Sequence, residues 1–333
     1  MRGPDLLLTP WTPAGDPAPV SIDLARTGPA AHPRRTWPRT TGVTLCVALL
    51  VVVAVVTRGR PPVAPAGTAT GDPAAVLRAA AAAVERSSDP RPARGQARLV
   101  ATRQFTLEVT PAGVGDREVI GLDQLVQEWI PADPRDAWMQ RIQDARPPQI
   151  WNEQAQEYLP GVPAPTTVSR GRCGDYYPVP GQDPCGRPGL WPEPTAAFVA
   201  GLPSDPGALL ARLRADAAGH DSDPGEETLV FAAQALDRGL LPARARATVY
   251  RALALLPSLR ILESSRVLDG RTGVAVGLQA HGAWVEIVVD PGTGTYLGRC
   301  RILVTAQDGL PPGTVTDATS LRTRIVSGVG RLG

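Results

Sequence analysis

Lysine is absent from this chain: all 34 basic residues among its 333 are arginine. That excludes Lys-dependent phosphate loops, Schiff-base enzymes and Ser–Lys nucleophile pairs, because arginine stays protonated and cannot stand in for lysine there. Histidine is nearly as scarce, with three in all. His32 lies near the amino end, and His220 and His281 are too far apart in sequence to suggest a zinc pair. No G-x-S-x-G elbow announces a hydrolase nucleophile. The letters G-x-G-x-x-G do occur, as GVGRLG at 328–333. No helix-forming sequence follows them to hold a pyrophosphate, so a flexible terminus is expected. HDSDPGEE, residues 220–227, gathers carboxylates without the ligand spacing of a calcium loop. It reads better as a helix start, with Asp223 as cap, Pro224 in first position and Glu226 completing a capping box. No catalytic residue, cofactor or metal is therefore expected. A net charge of +2 with scattered arginines gives no nucleic-acid surface.

One long uncharged run is present, TTGVTLCVALLVVVAVVT at 40–57. It would extend about 27 Å as a helix, close to a hydrocarbon core of about 30 Å. Ten of the residues from Val43 to Val56 are Leu or Val, and the run has no polar face. The reading is a membrane span. A cleaved signal fits less well, since the leader is long and Arg58 and Arg60 follow directly. Arg26, Arg34, Arg35 and Arg39 precede the run, against two arginines after it. That bias keeps the amino end cytoplasmic and exports the rest. The organisation expected is a disordered cytoplasmic tail (1–39), a transmembrane helix (40–57), a linker (58–72) and an extracytoplasmic domain (73–333).

Cysteine agrees with export. Cys173 and Cys185 bracket the loop CGDYYPVPGQDPC, rich in Gly and Pro. A disulfide there would restrain a segment with little core of its own, and it persists only in an oxidising compartment. Cys300 alternates with Arg299 and Arg301, which places it inward as a small buried hydrophobe.

Within 73–333, three helices open on Asp–Pro: Asp72–Pro73, Asp205–Pro206 and Asp223–Pro224. The stripes Leu209–Leu210–Leu213 and Leu229–Ala233–Leu236–Leu240 follow the helical period, as does Ala245–Val249–Ala252–Leu256 in a further helix begun by Pro242. Residues 97–109 alternate as a strand, with Leu99, Phe105 and Leu107 on one face. Arg103 interrupts that face, as an edge residue or as a polar group inside a cavity. A hairpin of 119–130 and 137–143 follows. After the helices come strands at 259–268, 273–280, 283–289 and 295–304, joined by Gly-rich turns. Residues 145–203 are expected to wander over the sheet. The fold class is α+β, strands then helices then a strand meander, with an antiparallel sheet and helices on one face.

The blocks LPSDPGALLARLR, ARATVYRALALLPSL, DGRTGVAVG and VDPGTGTYLG resemble an actinobacterial family of uncharacterised single-pass membrane proteins with a C-terminal extracytoplasmic domain. Members often lie near extracytoplasmic-function sigma factors, so the resemblance implies a regulatory or sensor role and assigns no catalytic residues. The tail lacks the amphipathic helix and zinc motif of a direct sigma-factor binder. At fold level the expected curved sheet, with helices on its concave side, resembles periplasmic lipoprotein-carrier and envelope-stress sensor domains.

The function expected is thus an anchored binding or sensor module for a lipid or protein partner. Its ligand would lie between sheet and helices, against Phe105, Leu107, Trp129 and Trp138. Two alternatives compete with it. One is an extracytoplasmic hydrolase using residues such as Asp175 and Tyr176. The other is a cell-envelope interaction module presenting Trp191 in GLWPEPTAAF.

Overall fold

The computed structural model describes residues 71–111, 117–150, 166–220 and 223–332. The tail, the span and nearly all of the linker lie outside them. Residues 58–333 form one compact unit. Among the described residues no helix is long and apolar enough to cross a membrane.

The unit is α+β. Helix α1 (Pro73–Arg86) leads into the long strands β1 (Ala97–Pro111), β2 (Arg117–Pro131) and β3 (Ala137–Ile150), then β4 (Thr167–Arg172). Four helices follow: α2 (Ala196–Ala200), α3 (Pro206–Ala217), α4 (Pro224–Asp237) and α5 (Ala243–Leu253). The chain closes with β5 (Arg260–Arg266), β6 (Thr272–Ala280), β7 (Ala283–Asp290), β8 (Thr295–Leu303) and β9 (Val315–Val326). All nine strands join one antiparallel sheet in the order β4-β3-β2-β1-β9-β8-β7-β6-β5. The last strand thus slots beside the first, and β1 lies mid-sheet.

The three Asp–Pro starts work as read. Asp72 accepts from the Ala74 N–H, Asp205 from Ala208, and Asp223 from Gly225 and Glu226. The reciprocal half of the capping box is absent: the buried Glu226 carboxylate bonds Arg301 and His281 instead. Helix α5 has no side-chain cap of its own. Asp89, from the loop after α1, supplies one through the Ala243 N–H at 2.5 Å.

The helices cover one face of the sheet and hold the main core. Leu77 and Val84 of α1 pack there with Leu209 and Leu213 of α3, Leu229 and Leu236 of α4, and Val276 and Ile287 from the sheet. Each fully buried leucine contributes roughly 2 kcal/mol over an exposed one. The turn between β7 and β8 approaches α1 so closely that a Cβ on Gly294 would lie 2.3 Å from a Val84 methyl, which fixes glycine at that point.

The other face is buried as well. Strand β5 stands five places from β1, about 24 Å across a flat sheet at ~4.8 Å per strand. Yet Arg103 on β1 donates to the Leu268 carbonyl at 3.2 Å, and Arg322 on β9 reaches Asp269 at 2.7 Å. The sheet is rolled, so that the turn after β5 folds over the face away from the helices. Arg103 is therefore not at an edge. It clamps Asp123, 3% exposed, through two bonds of 2.6 and 2.7 Å.

Two expectations about residue order need correction. The terminal run is not free: Trp129 donates its indole N–H to the Arg331 carbonyl, and Val329 packs on the Trp129 cluster. Cys300 is partly buried on the face away from the helices, where it lies opposite Glu286. Arg299 and Arg301 point toward the helices rather than to water, bonding Asp237 and Glu226 of α4.

Candidate functional site

The four residues expected to line one ligand site fall on two faces. Phe105 and Leu107 share a cluster with Val119, Leu303 and Leu310 inside the rolled half of the sheet. Trp129 packs with Ala97, Leu99 and Val326 on the same face. Trp138 lies on the helix face, in the main core. The reason is the period of two: Trp129 pairs with Met139, so the neighbour of Met139 points the other way. All four are buried.

Cys173 and Cys185 form the expected disulfide pair. Their loop holds Asp175, which is buried with Arg187 at 3.6 Å, and Tyr176, whose hydroxyl donates to Glu128 at 3.1 Å. Burial raises the Tyr176 phenol, and the Glu128 charge adds to it. Both residues are committed to packing. Trp191 is not displayed either. It is 3% exposed, edge-on to Phe198, stacked with Phe231 and bonded to Asp216 at 2.9 Å.

A cleft of about 1060 Å³ lies beside Trp138. Its walls come from the loop after α1, the end of β2 with its turn into β3, the segment 194–204 and the start of α5. Proline builds much of it: Pro131, Pro134, Pro194, Pro203 and Pro242 stand among Ile130, Val199, Leu202 and Leu240. Proline has no N–H to satisfy and a fixed φ, so these loops present apolar surface at little polar cost. The Trp138 indole donates to the Pro134 carbonyl at 2.8 Å and holds the turn.

The charges around this cleft are one-sided. Among the described residues, Arg91, Arg98 and Arg244 line it, against a single carboxylate, Asp89. Asp89 is already engaged, with one oxygen on the Ala243 N–H and the other on Arg246 at 2.7 Å. Arg98, half-buried on β1, borders this cleft and a second cavity of about 300 Å³. Burial pulls its pKa down, while the Asp89 charge offsets part of that. A signal for Arg98 was present in the sequence: it shares the helix-side face with Val100, so a charge there breaks an apolar face.

The remaining buried polar groups tie helices to sheet. Asp237, at the end of α4, accepts from Tyr296 at 2.8 Å, Thr319 at 2.7 Å and Arg299 at 2.7 Å. His281 and Arg301 share Glu226 at the start of the same helix. Inside the roll, Glu286 is 2% exposed and accepts from Ser265 at 2.8 Å. Burial pushes its carboxyl up to about 7, against the lowering effect of Ser265. Among the described residues no cluster of His, Cys, Asp and Glu is placed to hold a metal. No protein-family model, curated protein or solved structure matches the chain.

Proposed function

We propose that residues 73–333 are an extracytoplasmic binding domain, carried on the membrane by 40–57, and that the cleft beside Trp138 receives a lipid-sized apolar ligand. The observation that carries this reading is the cleft itself, about 1060 Å³ with walls of proline and aliphatic side chains. Ligand sites of small molecules typically span about 300 to 1,000 Å³ and combine apolar walls with a few polar groups. Export is supported by the arginine bias around the apolar run and by the Cys173–Cys185 pair, which needs an oxidising compartment. The lipoprotein-carrier likeness assumes helices on the concave side of the sheet; here the concave side is the rolled face away from the helices, so the reading rests on the cleft and not on that likeness. Occupancy of the cleft, relayed through the span, gives the sensor role that the family resemblance implies.

Native mass spectrometry of residues 58–333, secreted through an oxidising compartment, tests this. The expected result is a co-purifying lipid-sized mass that organic extraction removes and that Val199→Trp, which fills the cleft, prevents. A domain that emerges bare and takes up no lipid from vesicles overturns the reading. Broad hydrolase activity lost in Asp175→Asn would replace it with the enzyme alternative.

A further inference from the structure

We infer that the cleft selects amphiphiles with an anionic head, the head lying against Arg98 and the hydrocarbon tail against the proline-walled side. The inference rests on the reading of the cleft as a ligand site and adds the chemical class of the ligand.

Charge balance carries it. Among the described residues three guanidinium groups line the cleft, and the one carboxylate there has both oxygens occupied by Ala243 and Arg246. Arg91 and Arg244 are exposed, and neither forms an ion pair among the described residues. Arg98 differs from them in being half-buried at the junction of two cavities. Its side chain donates no hydrogen bond among the described residues, although a guanidinium offers five N–H donors. Withdrawing a charged group from water without a partner is costly, and the cost is recovered when a carboxylate or phosphate arrives to accept from it. A neutral amphiphile would leave Arg98 as it is. A cationic one would meet three like charges.

The planar fork of arginine suits either a carboxylate or a phosphate. A fatty acid and a lysophospholipid are thus two sources of the same head chemistry, and the test separates them. The full-length chain, extracted in native-membrane polymer discs, is labelled with photoreactive palmitate, photoreactive lysophosphatidate or photoreactive palmityl alcohol. Labelled peptides are then read by mass spectrometry, which distinguishes the cleft from background labelling of residues 40–57. One or both anionic probes are expected to mark peptides spanning 194–204 and 240–248 at least about tenfold above the alcohol, the factor that one charge-assisted hydrogen bond supplies. Whichever anion leads identifies the source. Arg98→Gln is expected to bring anion and alcohol level, while Arg98→Lys keeps most of the preference.

Equal labelling of these peptides by anions and alcohol in the wild type overturns the inference and leaves the cleft reading standing. Absence of labelling there by every probe overturns both. A preference that survives in folded Arg98→Gln removes Arg98 from the role. Should Arg98→Gln fail to fold, Arg98→Met, which keeps the apolar stem and removes the charge, replaces it with the same levelling expected, and an unchanged preference there removes Arg98 from the role.

Discussion

Glu286 offers the sharpest test of the rolled sheet. It sits on β7 opposite Gly277 and Cys300, 2% exposed, on the face that the turn after β5 folds over. Were the sheet flat, this carboxylate would face solvent and titrate as an ordinary one. In the roll, burial raises it to about 7 from 4.5, and the Ser265 bond only partly offsets that. Because the folded-state value lies above the unfolded one, the fold takes up a proton. Stability is therefore fullest below pH 4.5 and is lost as pH rises toward 7. The full loss is about 3 kcal/mol above both values, at ~1.4 kcal/mol per pH unit of difference. Glu286→Gln keeps the shape and an acceptor for Ser265 but carries no charge. Its extra N–H group needs a partner and costs about 1 kcal/mol, so a net gain of about 2 kcal/mol over wild type at pH 8 is expected. At pH 4.5 the order should reverse or level. Urea unfolding of residues 58–333 between pH 4.5 and 8 measures this as the difference between the two curves, which cancels other titrating groups such as Asp317. Parallel curves for wild type and variant would refute the burial of Glu286 and with it the roll.

Three further outcomes follow from the same contacts. Reduction of the Cys173–Cys185 link, or Cys173→Ser/Cys185→Ser, removes a bond across a sequence separation of 12. The loop-entropy model puts the loss at about 3 kcal/mol, seen as a lower denaturant midpoint in reducing buffer. Gly174→Ala should cost about 1–3 kcal/mol, since the residue has φ 74° and a Cβ there would stand 2.7 Å from the Trp138 ring; thermal melts report it. Asp237→Ala leaves Arg299 and the Tyr296 hydroxyl without their common acceptor and should cost about 3–5 kcal/mol, with hydrogen exchange rising first in α4. A loss under about 1 kcal/mol would mean the network is not what seats that helix.

The helices were legible because their signals are local. Asp then Pro marks the starts of α1, α3 and α4, and Leu209, Leu213, Leu229 and Leu236 keep the 3.6 period of a one-sided helix. Strand β9 was missed because its pattern is set by distant partners. VTDATSLRTRIV reads as solvent-facing, yet the strand lies between β1 and β8 with Thr319 and Ser320 buried. Thr319 is tolerated there because its hydroxyl meets Asp237, 82 residues earlier in the chain. The candidate site was hidden for the same reason. Its walls are short pieces from Ser88 to Thr248, each of which looks like an ordinary proline-rich connection. Placing a ligand at Phe105 and Trp129 followed from assuming that the sheet had one buried face. It has two, and alternation alone cannot say which of them meets the helices.

The absence of lysine gains a structural meaning in this fold. Asp123, Glu128, Glu226 and Asp237 are all buried carboxylates, and each is met by an arginine: Arg103, Arg238, Arg301 and Arg299 respectively. A guanidinium reaches across a strand and offers a fork that satisfies two oxygens, or two acceptors on different elements, at once. Arg103 does the first, with Asp123, and Arg299 the second, between Asp237 and Asp317. An ammonium would leave part of each carboxylate unsatisfied at low dielectric. Arginines that look like a solvated scatter in the sequence are thus much of what joins helices to sheet. Against that rule Arg98 stands out, because it is half-buried among the same elements and its nearest carboxylate is already taken. Glu286, inside the roll with only Ser265 as its partner, is outside this pairing, but on the helix side the paired carboxylates leave Arg98 open where the apolar cleft begins, and a bound anion is the partner that would complete it.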